Sequence, residues 1–555
     1  MNNTLIFGAE ASDAALSGNR VSGLLSSARE RAAAVATVPI PEIVEILDRV
    51  SAVWADEGHP LRKAAQQELP PLIGFSPEMV SKGLDVVSSL CRRDATEARL
   101  SGEIGELQVM DTWVSRPDLG YDLRAVPRGV VLHLAAGNVF VGAVDSLLAG
   151  ILTKNANILK MSHVDQVFPR LFMQSLRECD PDGLVWPNQA IVSWKGGDDS
   201  VEMPLFAADL TIVFWGGREA LAAVRSRIGS GTKLIENGPR YSFAVTDAES
   251  LAQGLPDEAV HGLALDLCAW DQQACSSPHV VYVVGHSAKP VFELMERLKA
   301  ELDLVSKELP RGPLGFDEKV EIRRVRELAL MAEVKGRATL LCPDTFDWTL
   351  VYEKDPAFKV SCLNRTLFFK LVPTIERLLD EIRPLGAYLQ TIGLAVHVSR
   401  RALLEEALLA AGAKRLTGLG GMSEGRDGAP HEGSFLLSQL VDWVDREHRV
   451  DEHRMIRGLL DALRRSPFYG PLVEAAGKKH KTASEQLAAL PLLDRETFYR
   501  HSPTLSKAIL TGPMTNAYVY ASGGTTGEPK FALYSNEEYK KATDVLGFIY
   551  STAGL

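Results

Sequence analysis

A doubly wound α/β architecture is predicted for this chain of 555 residues by three observations. Short apolar strands alternate with helical patterns from about residue 127 onward. Most of these strands run into glycine or small polar residues, where parallel sheets of this kind gather their ligands. The alternation then continues through a cysteine-bearing turn, so a second α/β region follows the first.

Before residue 110 the pattern is helical: Ile43, Ile46, Leu47 and Val50 recur at helix spacing, as do Val80, Leu84, Val87 and Leu90. Val130 to Leu134 reads as a strand ending at Ala135-Ala136-Gly137-Asn138, with a helix from Val141 to Leu152 after it. Strands follow at Asn157 to Lys160, Gln189 to Ser193 and Leu210 to Phe214, the last running into Gly216-Gly217-Arg218-Glu219. After Ala274-Cys275-Ser276-Ser277-Pro278 come a strand at Val280 to Val284 and a helix from about Pro290 to Val305. Further strands are expected near Phe368 to Leu371 and Gly393 to Val398. Leu416 to Gly433, rich in glycine and charge, reads as a functional loop. The highly charged stretch Asp442 to Arg454 reads as a linker. The expected domains are a helical region over 1–110, a cofactor-binding domain over 111–258, a catalytic thiol domain over 259–445 and a separate segment over 455–555.

Composition narrows the function. A hydrophobic content of 46% with 24% charged residues is that of a globular protein with sizeable cores. A net charge of -11 argues against nucleic-acid binding, which needs a basic face. Six cysteines, widely spread and without a CxxC pair, give neither a disulfide framework nor a zinc site, and they suit a reducing cytosol. Met1 to Gly8 lacks the basic and apolar regions of a signal peptide, and no apolar run approaches the roughly 20 residues of a membrane span. A cytoplasmic enzyme without metal is expected.

The residues suggest covalent acyl or aldehyde chemistry. Cys275 is a candidate nucleophile, and a thiol reacts through its anion. The Asn138 amide and the Cys275 backbone N–H could together hold an oxyanion. Glu236, at the end of an apolar run, is the candidate acid/base.

These motifs resemble those of the aldehyde dehydrogenase superfamily. Pro127-x-Gly129-Val130 with Asn138 is similar to its oxyanion strand, and Asn155-x-Asn157-Ile158-Leu159-Lys160 to the segment whose lysine meets the adenine ribose. Phe214 to Glu219 resembles the glycine turn under the cofactor pyrophosphate, which implicates Gly216 and Gly217. Glu236-Asn237-Gly238 and Gln272-Gln273-Ala274-Cys275 match its glutamate and nucleophile motifs. Cys-Ser-Ser-Pro at 275–278, Ala135 to Asn138 and Pro430-His431-Glu432-Gly433 resemble the LuxC-type acyl-CoA reductases in particular, over roughly residues 40–445. The resemblance implies an aldehyde-dehydrogenase-like fold with a Rossmann-like cofactor domain. It also implies reduction of a fatty acyl-CoA or acyl-protein thioester to aldehyde through acyl-Cys275, by a homo-oligomer. Where NAD-preferring relatives often carry Glu, this chain has His163, which favours a 2′-phosphate and hence NADPH. The superfamily's acidic clamp on the nicotinamide ribose has no match near Ser361 to Thr366.

A second resemblance lies downstream. Tyr520 to Lys530 is similar to the phosphate loop of acyl-adenylating enzymes, and such a loop offers N–H groups, hydroxyls and a cation to phosphates. Ser466-Pro467-Phe468-Tyr469 and Leu490-Pro491-Leu492-Leu493 resemble the LuxE-type acyl-protein synthetases of that superfamily. Their later catalytic lysine has no counterpart before Leu555, so a partial synthetase-like segment is expected. Acyl-protein synthetase and acyl transferase are the implied partners. An acyl-adenylating ligase and a non-catalytic component of a reductase complex are the alternatives.

Overall fold

The computed structural model describes residues 4–11, 14–116, 119–447, 452–501, 505–512, 517–521, 531–536, 538–540 and 543. They fall into two compact units, one of residues 1–114 and 123–444, the other of 115–122 and 445–555.

The first unit opens on helices Gly18–Val35, Ile40–Ala55, Pro60–Ile73, Pro77–Cys91 and Arg93–Glu103. Ile43, Leu47 and Val50 on one helix and Val80, Leu84 and Val87 on another are fully buried, as their spacing requires. Ser76 starts the second of these by accepting the Met79 N–H at 3.2 Å, with Pro77 at the position where a missing N–H is harmless.

Two seven-stranded sheets follow. In the first, five parallel strands lie in the spatial order Gln189–Val192, Ala156–Lys160, Val130–Leu134, Thr211–Trp215, Lys233–Asn237. A hairpin of Thr4–Ile6 and Ala9–Ala11 extends the edge beyond Gln189–Val192. The order reverses between Val130–Leu134 and Thr211–Trp215, the switch point where such sheets open a crevice beyond their carboxyl ends. Val130–Leu134 is buried at every position, which is why it reads as an unbroken apolar run around one histidine. That His133 is satisfied inside the core, at 2.8 Å from Ser146 Oγ and 2.9 Å from Asn157 Oδ1.

The second sheet runs Ala338–Leu341, Thr349–Glu353, Thr366–Val372, Pro278–Val284, Tyr241–Asp247, Leu389–Ala395, Arg415–Gly418. Every neighbouring pair is parallel except Ala338–Leu341 with Thr349–Glu353. The strand expected at Gly393 to Val398 therefore begins earlier, at Leu389, and Val398 instead opens helix Val398–Ala410 behind a cap from His397.

In the second unit, helices Glu452–Arg464 and Gly470–Lys479 bury Leu460, Val473 and Ala476, and Ser466 Oγ donates to the Ala508 carbonyl at 2.8 Å. Strands Tyr518–Ala521 and Phe531–Tyr534 pair as a hairpin. Ser522 to Lys530, where the sequence resembles a phosphate loop, lie outside the described residues. The stretch Asp442 to Arg454 is not a continuous linker: Val441–Glu447 is a strand and Glu452–Arg464 a helix. Its charge reflects exposure, since only Val441 of that strand is buried.

Candidate active site

A cavity of about 2570 Å³ in the first unit is lined by residues from both large sheets. The nucleophile reaches it on an unusual loop. After helix Asp257–Cys268 the chain passes through Trp270, Asp271 and Gln272, all left-handed at φ 55°, 48° and 66°. That conformation costs a side-chain-bearing residue about 1–2 kcal/mol, so the surroundings must impose it. They do so twice. The buried Gln272 amide donates to the Pro278 and Thr366 carbonyls at 2.8 Å and accepts the Thr366 N–H at 2.8 Å. Asp271 accepts Arg365 at 2.7 Å and the Gly312 N–H at 3.0 Å, all within the core. The opposing turn, Leu363, Asn364 and Arg365, is left-handed as well (φ 63°, 55° and 60°), and Asn364 N–H donates to the Asp271 carbonyl at 3.1 Å. Two strained turns brace each other.

Cys275 emerges from this brace just before strand Pro278–Val284, at its amino end. Its carbonyl accepts Ser242 Oγ–H at 2.8 Å. Asn138, at the carboxyl end of strand Val130–Leu134, donates its amide to the Gln273 carbonyl at 2.8 Å, which leaves that amide a second N–H. The structure thus brings Asn138 and Cys275 to one loop. Burial, and then the Glu432 carboxylate, raise the thiol pKa, while the Gln390 amide and the N–H groups of Cys275 and Ser276 oppose them. The net effect is upward, so the resting group is the thiol.

The expected cofactor residues line the same cavity at the carboxyl ends of the first sheet. Lys160 ends strand Ala156–Lys160 with its ammonium 5.1 Å from the centre of the Trp194 ring. Burial lowers its pKa, and Glu202 partly restores it. His163 is exposed to the cavity, as is Lys195, a cation that sequence reasoning did not single out. Gly216 accommodates the Phe214 ring, which a Cβ would meet at 2.8 Å. Gly217 caps helix Arg218–Arg225, with nothing within 4 Å of where its Cβ would stand. A switch-point crevice, a cation shelf and an open glycine turn at a helix start fit a dinucleotide phosphate backbone.

Glu236 is not brought to the thiol. It is absent from the cavity wall, and its carboxylate is gripped by Arg225, with Nε at 2.5 Å from Oε1 and a second contact through Nη2. Glu432, in the glycine-rich loop, does line the cavity with Cys275, its side chain 3% exposed and Arg240 Nε 2.7 Å from Oε2. That loop is anchored by buried Asp266, which accepts the N–H groups of Gly420 at 2.7 Å and Ser423 at 3.0 Å. Glu432, Arg240, Gln390 and the Asp271–Arg365 pair were not assigned roles from sequence. Only Glu432 carried a signal, as the carboxylate of the Pro430 to Gly433 motif. Among the described residues no cluster could hold a metal ion, and no helix is long and apolar enough to cross a membrane.

The family model of acyl-CoA reductases (LuxC) matches residues 35–443. The chain belongs to this family. It is 28% identical over 410 residues to the long-chain acyl-protein thioester reductase of Aliivibrio fischeri, covering 73% of this chain and 82% of that protein. To the Photorhabdus luminescens reductase of the same description it is 29% identical over 410 residues, with the same coverage. Solved aldehyde dehydrogenases share the fold. Salicylaldehyde dehydrogenase of Pseudomonas putida G7 matches at TM-score 0.62 and 14% identity, over 79% of this chain and 92% of that one. Aldehyde dehydrogenase C of Pseudomonas syringae, solved with NAD+ and octanal, matches at TM-score 0.60 and 12% identity, over 81% and 97%. Family and fold make this LuxC-family chain an oxidoreductase that acts on acyl thioesters.

Proposed function

We propose that this LuxC-family chain reduces a long-chain acyl thioester to the aldehyde with NADPH, through an acyl group held on Cys275. The reading is carried by one observation: the braced Cys275 loop opens into the cavity that the first sheet's carboxyl ends also line. Cys275 sulfur bonds to the acyl carbon, the bond to the donor sulfur breaks, and the donor leaves as its thiol. The Asn138 amide and the Cys275 N–H would hold the oxygen as it becomes anionic, as donors aimed at a developing charge do. A bound reduced nicotinamide would supply a hydride to the acyl carbon; the bond to the Cys275 sulfur then breaks, releasing the aldehyde, and the sulfur takes up a proton. Lys160, His163, Gly216 and Gly217 would hold its phosphates and ribose, and His163 with Lys195 in place of an acidic residue supports the 2′-phosphate form. Met79, Val86, Leu90, Val141 and Leu265 give the cavity an apolar lining suited to an alkyl chain.

The donor is acyl-CoA or an acyl group on a partner protein. The likeness of residues 466–469, 490–493 and 520–530 to acyl-protein synthetases supports a synthetase-linked supply of acyl groups. The test is intact-protein mass spectrometry after mixing the chain with a long-chain acyl-CoA or a synthetase-borne acyl group, first without NADPH and then with it. An acyl-mass adduct that NADPH discharges as aldehyde, and that Cys275→Ala cannot form, is the expected result. An adduct that survives in Cys275→Ala removes the proposal.

A further inference from the structure

We propose that Glu432, clamped by Arg240, is the carboxylate that takes and returns the Cys275 proton during acyl transfer. This rests on the acyl-Cys275 reading above and replaces the role expected of Glu236.

Position is the first argument. The buried Glu432 side chain lines the cavity that Cys275 also lines, and its partner Arg240 stands two residues before Ser242, whose hydroxyl donates to the Cys275 carbonyl at 2.8 Å. The carboxylate is also fixed: Arg240 holds Oε2 at 2.7 Å, and Arg240 is itself held by the Ala387 carbonyl. The turn that presents it is strained and locked. Glu432 is left-handed at φ 51°, and His431 and Ser434 exchange backbone hydrogen bonds of 2.9 and 3.0 Å across it. The His431 ring packs edge-on against Trp215, with centroids 5.2 Å apart. A non-glycine residue is kept in this conformation when the surrounding structure demands it, most often at a functional site.

Several other titratable groups of the same cavity wall are otherwise engaged. Arg415 is tied to the Gly421, Met422 and Glu424 carbonyls. His279 is neutral, its pKa lowered to about 4 by burial, and its Nδ1 accepts the Ser361 N–H at 3.0 Å. His431 is the Trp215 partner just described, and Arg240 can only donate.

The step balances without a redox partner. As the sulfur bonds to the acyl carbon, its proton passes to Glu432. Collapse of the tetrahedral species breaks the bond to the donor sulfur, which leaves as a thiol carrying that proton. Cys275 ends acylated and Glu432 anionic. Burial, and then the carboxylate, keep the thiol protonated until an acyl donor arrives.

Two readouts of opposite sign test this. Glu432→Gln keeps an acceptor for Arg240 but removes both the charge and the proton acceptor. Acylation of Cys275 from palmitoyl-CoA, followed by mass spectrometry without NADPH, should slow about 100-fold or more. Alkylation of Cys275 by iodoacetamide should move the other way: its pH midpoint falls and the reaction at pH 7.5 becomes faster than in wild type. A purely structural residue would slow both or change neither. Glu432→Asp retains the charge with a shorter reach, so its alkylation midpoint stays near that of wild type while acylation falls less than in Glu432→Gln. Wild-type acylation in Glu432→Gln, or an unmoved alkylation midpoint, overturns the proposal. Cys275→Ala separates the two levels, because an adduct persisting there removes the acyl-cysteine reading itself. The alkylation arm needs no acyl donor, so it tests Glu432 even if CoA is not the natural carrier.

Discussion

Arg365→Met would test the brace beneath the nucleophile. The Arg365 side chain is fully buried, with Nε and Nη2 both 2.7 Å from Asp271 Oδ1 and Nη2 2.9 Å from the Leu309 carbonyl. Methionine keeps the apolar stem but leaves the Asp271 carboxylate in the core with little more than the Gly312 N–H at 3.0 Å. Breaking a buried pair from one side costs about 3–5 kcal/mol, against a typical folding stability of about 5–15 kcal/mol. The strained turn at Trp270, Asp271 and Gln272 adds about 1–2 kcal/mol per residue that the brace no longer opposes. The melting temperature should fall by roughly 5 °C or more. Acylation of Cys275 should fall with it, because the loop has lost its fixed position. Asp271→Asn alone should also destabilise, by stranding the guanidinium. The double variant, with both charges removed, should recover much of the loss, giving a coupling of about 2 kcal/mol or more. If Arg365→Met melts like wild type, or the two single effects simply add, the brace is not held by this pair.

Buried titratable groups and the cofactor pocket give three more tests. Asp165 Oδ1 accepts the Val167 and Phe168 N–H groups at the start of helix Phe168–Cys179, its Oδ2 has no partner among the described residues, and burial raises its pKa to about 6. A raised folded pKa means that the native state binds the extra proton between about pH 4 and 6, so this group's contribution is lost as pH rises through that window. Asp165→Asn should therefore be more stable than wild type at pH 7.5 by about 2–3 kcal/mol and lose that advantage at pH 4; equal melting at pH 7.5 refutes it. His133, lowered to about 4 by burial, works in the opposite sense. Its contribution is complete above the unfolded value near 6.5 and is lost as pH falls toward 4, so His133→Gln should flatten the acid limb of a stability profile by up to about 3 kcal/mol. His163→Glu should shift the NADPH-to-NADH ratio of dissociation constants about tenfold toward NADH by fluorescence titration, and an unchanged ratio would remove His163 from phosphate binding.

The parts of the fold that were legible in sequence are those governed by burial along the chain. Val130–Leu134 and Thr211–Trp215 are covered on both faces, so each reads as a short apolar run whatever surrounds it. The nucleophile loop was legible as a motif but not as a structure. Nothing about Trp270, Asp271 or Gln272 announces a left-handed turn, because the partner that imposes it, Arg365, lies 94 residues from Asp271. Gly262 is similar: inside a helix it reads as a weakness, yet a Cβ there would stand 2.5 Å from Gly420 Cα, so it is needed to seat the glycine-rich loop. The strand Val441–Glu447 was missed for a different reason. Its exposed charge looks like a linker until pairing is seen, and pairing is a property of two segments.

The reassignment from Glu236 to Glu432 follows from the geometry of a strand end. Successive residues of a strand point to opposite faces, so one step along the chain changes what a side chain meets. In strand Lys233–Asn237, Asn237 lines the cavity, whereas the Glu236 carboxylate is held by Arg225 of helix Arg218–Arg225. A motif match fixes which residue types occur and in what order; it does not fix which of two adjacent side chains faces the chemistry. With Asn237 taking the inward place, a carboxylate for Cys275 has to come from another segment. The glycine-rich loop supplies it, because Asp266 anchors that loop near one end and the His431–Ser434 turn closes the other around Glu432. The ion pairs agree with the placement: Glu432 is paired with Arg240 in the cavity wall, while Glu236 is balanced by Arg225.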